Sequence, residues 1–144
     1  MGSNQSMNKM INFEDLQSML TSSSKFLLVN TLSAMEQTCL IHDTLNAGQE
    51  EITINSFLEN NQTNVRIIVY GKNANDHSAY KKHQQLLKMG FPHTYIYPGG
   101  LFEWLLLQDV YGSDEFPTTT KELDILKYKP SRCLHSHVNL LEYT

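Results

Sequence analysis

The sequence predicts an α/β domain with a central parallel sheet covered by helices on both faces, followed by a C-terminal extension. Three observations carry that expectation. Val65-Arg66-Ile67-Ile68-Val69-Tyr70 is a β-branched run of the kind that fills a buried parallel strand. Phe26-Leu27-Leu28-Val29-Asn30 is a second continuous apolar run. Helical and strand patterns then alternate along the chain, a rhythm that implies right-handed crossovers between parallel strands.

The elements follow in order. Asn12 can cap a helix from Phe13, with Asp15 in its first turn opposing the helix dipole and Phe13, Leu16, Met19 and Leu20 forming one apolar stripe. Thr21-Ser22-Ser23-Ser24 ends it before the strand at residues 26–30. Between Ala47 and Asn64, the spacing of Ile52, Ile54, Phe57 and Leu58 predicts a short helix closed by Glu59-Asn60-Asn61-Gln62. After the strand at 65–70 comes the loop Gly71-Lys72-Asn73-Ala74-Asn75-Asp76-His77-Ser78, with Ser78 placed to cap the next helix. That helix presents Tyr80, His83, Leu86, Leu87 and Gly90 to the core and solvates Lys81, Lys82, Gln85 and Lys88. Downstream, Thr119-x-x-Glu122 has the form of a capping box and predicts a helix over 120–127 that stops before Pro130. The domain plan is a leader over 1–9, the α/β domain over 10–116, and a helix and tail over 117–144.

Composition bounds the function. With 144 residues, 40% apolar and 18% charged, the chain is long enough for one domain with a normal core. A net charge of −4 with no run of Lys and Arg excludes a nucleic-acid surface, which needs a basic face. The two cysteines, Cys39 and Cys133, are too few for a disulfide scaffold and fit a reducing, cytoplasmic setting. Cys133-Leu134-His135-Ser136-His137 and Cys39-Leu40-Ile41-His42 match no common structural-zinc spacing, so neither metal nor cofactor is expected. No apolar run approaches the length of a transmembrane helix. Met1-Gly2-x-x-x-Ser6 fits the N-myristoylation pattern at Gly2. One such chain supports only weak, reversible membrane contact, with an association constant on the order of 10⁴ M⁻¹.

The strand–loop–helix junction at 70–78 aims backbone N–H groups and a helix's partial positive charge at one point, a geometry suited to a phosphate, a sulfate or a thiolate. Beyond it, Gly90-Phe91-Pro92-His93-Thr94-Tyr95-Ile96-Tyr97-Pro98-Gly99-Gly100-Leu101-Phe102-Glu103-Trp104 resembles the rhodanese family signature of a Gly-Phe turn, an aromatic strand, Gly-Gly and a helix opening with a Trp. The resemblance spans roughly residues 10 to 112, about one single-domain rhodanese. Cys39 to Ala47 occupies the place of the family's Gly-His-Ile-Pro-Gly-Ala segment and keeps only its apolar pattern.

The resemblance also sets what is missing. In sulfurtransferases of the family the loop opens with a persulfide-carrying cysteine, and Gly71 holds that place here. In the phosphatase branch the loop is Cys, five residues, then Arg, and its two ends here are Gly71 and His77. Asn30 and Leu32 stand where active members carry Asp and Arg. Covalent sulfur or phosphoryl transfer needs a thiolate of low pKa. Glycine supplies no reactive atom, and its expected role is the permissive φ of a turn. Lys72 is an amine suited to Schiff bases, and Asn73 and Asn75 have no nucleophilic character. Asp76 should weaken anion affinity at the junction.

The expected function is therefore a catalytically inactive rhodanese-like module that binds protein partners or plays a structural part in an intracellular assembly. Family members lacking the loop cysteine occur in regulatory and in cytoskeletal or ciliary settings, so membrane or cytoskeletal association enters as a further expectation. Leu105, Tyr111, Phe116, Leu140 and Tyr143 are the candidates for a protein-binding face. The competing expectation is that the tail folds back over that surface. Two other readings stand beside the first: an enzyme using Cys39 or Cys133 as a displaced thiol, and a small-anion sensor using the empty junction.

Overall fold

The computed structural model describes residues 9–134. The elements are α1 (Phe13–Thr21), β1 (Phe26–Asn30), a 3-10 turn at Ala34–Glu36, α2 (Ala47–Glu59), β2 (Arg66–Tyr70), α3 (Ser78–Met89), β3 (Thr94–Tyr97), α4 (Gly100–Tyr111) and a second 3-10 turn at Ile125–Tyr128. The three strands form a parallel sheet in the order β1-β2-β3, with Leu28 opposite Ile68 and Ile68 opposite Tyr95. Single parallel bridges widen it at both edges, Thr44 beside Leu28 and Met10 beside Ile96.

Side chains alternate along the strands and build two cores. Leu28, Ile68, Tyr70 and Tyr97 face α1 and α4 and pack with Leu16, Leu101, Trp104 and Leu105. Leu27, Val29, Ile67 and Val69 face the other way and pack with Ile54 and Phe57 of α2 and Ala79 and Leu86 of α3. The sheet is covered on both faces, as the continuous apolar strands require. Asn12 caps α1 in a reciprocal box with Asp15. Gly90, at φ 110°, ends α3 in the left-handed conformation that glycine adopts without a Cβ penalty.

Several side chains depart from the sequence reading. Ile52 is exposed, because it lies two residues from Ile54 and so points nearly opposite to the buried face of α2. Lys82 pairs with Glu50 across α2 and α3 instead of standing in solvent. The helix expected over 120–127 does not form. Its capping residues bind another segment: Thr119 Oγ1 accepts from Leu40 N at 3.1 Å, Thr119 N donates to Leu40 O at 2.8 Å, and Thr120 Oγ1 donates to Thr38 O at 2.9 Å. An extended strap replaces the first helical turn, and only the 3-10 turn at 125–128 remains.

The chain also passes the expected domain border at residue 116 without leaving the core. Trp104 Nε1 donates to Pro117 O at 3.1 Å, and Tyr128 is fully buried in the α1/α4 core. Among the described residues, no helix is long and apolar enough to cross a membrane. Gly2, Leu140 and Tyr143 lie outside the described residues.

Candidate functional site

The loop from Gly71 to His77 leaves the C-terminal end of β2 and enters α3. Its position is set by a glycine contact: Gly100 opens α4 at φ +70°, and a Cβ there would stand 2.8 Å from Gly71 O and 2.9 Å from Asn73 N. Only glycine lets α4 come this close. Leu101 N and Phe102 N then donate to Gly71 O and Lys72 O, both at 2.9 Å. The outer side is held by the strap, where Asn73 Nδ2 donates to Tyr128 O at 2.9 Å.

The junction is not empty. Asp76 turns its carboxylate back into the loop, where it accepts from Lys72 N at 2.9 Å, Ser78 N at 3.0 Å and Ser78 Oγ at 2.6 Å. The chain's own anion receives two of the backbone donors that the sequence reading left for a ligand, those of Lys72 and Ser78. Ser78, expected to cap α3, is instead its first residue and spends its hydroxyl on Asp76, with Thr31 Oγ1 2.7 Å away. Burial pulls the Asp76 carboxyl upward, yet the donors from Lys72 and Ser78 together hold it below the usual carboxylate range. An acid so stabilised as its anion is a poor general base for Ser78.

Gly71 has a different reason from the one expected. The left-handed glycines are Gly90, Gly100 and Gly112, and Gly71 is not among them. What it supplies is room: a Cβ at position 71 would stand 2.6 Å from Asp76 Oδ2 and 3.1 Å from Thr31 Oγ1. The Asp76 carboxylate occupies the space into which a side chain at the head of the loop would project.

Two charges beside the loop are also paired with each other. Lys72 Nζ pairs with Glu36 Oε2 at 2.6 Å, and that contact, before all others, lowers the Glu36 carboxyl below its ordinary value. Asn30 Oδ1 accepts from Leu32 N at 3.0 Å and Gln37 Nε2 at 2.8 Å, and Leu32 is buried. A polar cleft of about 450 Å³ remains outside the loop, with Ser33, Glu36 and Lys72 on one side and Lys129 and Ser131 of the strap on the other.

Neither thiol lines this cleft. Cys39 is buried, with Sγ donating to Thr120 O at 3.4 Å, while Cys133 is exposed two residues past Ser131. No three potential metal ligands cluster among the described residues. Of the protein-binding candidates, Leu105 and Phe116 are buried, at 1% and 3% exposure. Leu105 belongs to the inner face of α4, and Phe116 packs edge-on against Trp104 with ring centroids 5.0 Å apart. Tyr111 is exposed at 65%.

Sequence reasoning missed Tyr128, Thr31 and Glu36 as parts of the site. Tyr128 alone carried a signal, as an aromatic residue that follows Leu123, Ile125 and Leu126. Thr31 and Glu36 reach the loop only through the tertiary fold.

The sequence model of the rhodanese-like domain matches residues 14–107. The chain belongs to the rhodanese-like domain family. This rhodanese-like domain is similar in structure to the Alr3790 protein from Anabaena sp., at 20% identity over 92% of this chain and 91% of that one, with a TM-score of 0.55. It also resembles a full-length protein from Lactobacillus plantarum, at 16% identity over 80% and 90% of the two chains and a TM-score of 0.56. A thiosulfate sulfurtransferase from Pseudomonas aeruginosa shares 20% identity over 67% of this chain and 18% of its own length, with a TM-score of 0.53. At these identities the likeness speaks for the rhodanese-like fold alone. No curated protein sequence matches.

Proposed function

We propose that this rhodanese-like domain is catalytically inactive and serves as a protein-interaction or structural module in a larger intracellular assembly. The observation that carries the reading is the Asp76 carboxylate, which takes the Lys72 and Ser78 N–H groups and the space in front of Gly71. A sulfur carrier would need that same space and those same N–H groups to lower a thiol pKa. Asp76 also argues against the small-anion sensor, since an incoming anion would meet a fixed negative charge.

The expected assay result is no transfer of sulfur from thiosulfate to cyanide above the buffer rate, and no hydrolysis of an aryl phosphate. Activity that disappears on Cys39→Ala or Cys133→Ala would sink the proposal. One observation supports the displaced-thiol alternative enough to make Cys133→Ala a necessary control: the strap bearing Lys129 and Ser131 reaches the cleft shortly before Cys133.

The reading extends to cytoplasmic residence, with membrane contact through an acylated Gly2 or association with a cytoskeletal or ciliary structure. Purification of the native protein with its companions, followed by intact-mass measurement, reports both partners and acylation. Recovery of the unmodified chain alone would count against it.

A further inference from the structure

Two surface features outside the loop carry opposite charge beside exposed apolar surface. α4 ends in Val110 and Tyr111, exposed at 71% and 65%. Asp109 precedes them, and Asp114 and Glu115 stand exposed in the turn that follows. The turn is fixed beneath by Phe116, whose ring lies 6.2 Å from Tyr111 and 5.8 Å from Phe13. Gln17 Nε2 holds it further by donating to Glu115 O at 2.8 Å. Asp109, Asp114 and Glu115 form no ion pair among the described residues. This is an apolar knob ringed by carboxylates, on the α1/α4 side of the sheet.

On the other side of the sheet, α3 carries the reverse charge. α3 contains three lysines and no acidic residue, in a chain whose net charge is −4. Tyr80, Gln84, Gln85 and the stems of Lys81 and Lys88 form a shallow trough with an apolar floor. Lys81 and Lys88 stand about 10 Å apart along the axis. Lys82 is neutralised by Glu50, but Lys81 and Lys88 pair with no carboxylate among the described residues.

We infer that the Val110–Tyr111 knob of one copy docks into the α3 trough of a second copy, so that molecules associate head to tail. The knob's carboxylates meet Lys81 and Lys88, while the Tyr111 ring lies over the trough floor. Because the two patches belong to opposite faces of one sheet, the contact is heterologous: a dimer keeps a free knob and a free trough, and further copies extend it as an open chain or close it into a ring. The contact is small and its charges sit at the rim, so association is weak and screened by salt. This deepens the structural reading by naming its partner as another copy of the chain. Its test is independent of whether the loop has activity.

Sedimentation velocity of the full chain provides that test, from about 10 µM to about 1 mM protein in about 20 mM and about 500 mM salt. At low salt the weight-average sedimentation coefficient is expected to climb with concentration past the dimer, and at high salt to return to the monomer. Lys81→Glu/Lys88→Glu and Asp114→Lys/Glu115→Lys should each weaken association by about tenfold or more. An equimolar mixture of the two variants should associate again, since each supplies the patch the other lacks. Tyr111→Ser gives a third arm with the charges intact and should also weaken the contact. Circular dichroism matching the parent separates a lost contact from a lost fold. A parent that stays monomeric at low salt, a plateau at the dimer, association unmoved by the substitutions, or a mixture that stays monomeric would each overturn the inference.

Discussion

At the scale of single residues, Gly71 and Asp76 form one unit, because the carboxylate needs the room that the missing Cβ leaves. Gly71→Ala should cost about 1–3 kcal/mol through the forced contact with Asp76 Oδ2. Asp76→Ala should cost about 1–3 kcal/mol by stranding the Lys72 and Ser78 donors. The double variant should cost less than the sum, since removing Asp76 also removes the clash. Urea denaturation of all four proteins checks this, and strict additivity would contradict the geometry. A thiol installed by Gly71→Cys would face the Asp76 carboxylate, which opposes its ionisation. Alkylation of that thiol at neutral pH should be slow and should rise about tenfold when Asp76→Ala is added.

His83 supplies a pH dependence. It is 2% exposed, and its Nε2 lies 2.9 Å from Thr94 O, so the neutral ring must donate there. Burial, before any other cause, lowers its pKa. The unfolded chain then binds the proton more readily than the folded one, so stability is full above about pH 6.5 and falls as the pH drops from there toward the lowered folded value. Denaturation midpoints measured between about pH 7.5 and 5 should show this loss, and His83→Gln should flatten it.

At the scale of elements, the strap over 117–131 is the main departure from the sequence pattern. The Thr119-x-x-Glu122 spacing satisfies the rule for a helix start, but the hydroxyls of Thr119 and Thr120 find partners in residues 38–40. A capping residue serves one partner at a time, and the tertiary contact also pairs the Leu40 backbone. The strap then delivers Tyr128 to the core and its carbonyl to Asn73. Truncation after Pro117 should therefore behave as a large-to-small core change, lowering stability by about 3–5 kcal/mol and increasing binding of an apolar dye. A truncated protein as stable as the parent would mean that the strap is dispensable.

At the scale of the whole molecule, helices on both faces leave the sheet with no open face, so any partner must meet helix surfaces or loops. Among the described residues, Lys81 and Lys88 of α3 and Asp109, Asp114 and Glu115 around the end of α4 form no ion pair, which leaves opposite charges on two separate helices. Wild-type protein should therefore show no sulfur transfer while still associating at low salt, a combination expected of a scaffold. The cleft beside the loop is polar and lined by the Lys72–Glu36 pair, which leaves little binding energy for a small apolar ligand.

What the residues alone determined is the layer order. β-branched runs such as 65–70 must be buried on both sides, and helices with one apolar face must lie against them. The Gly-Gly turn and the glycine at the head of the loop were equally legible, because each is a local substitution in a known pattern. What the tertiary structure decided is why that glycine is there. Asp76 lies five residues away, and its sequence shows a charge but not the direction of its side chain. Only the packed loop turns the carboxylate inward, because the partly buried N–H groups of Lys72 and Ser78 need an acceptor and Asp76 provides it. Burial of Leu105 and Phe116 was undecidable for the same reason: an apolar residue reads alike whether it packs in its own core or on another chain, until the fold sets Leu105 in the α1/α4 core and brings Trp104 to Phe116.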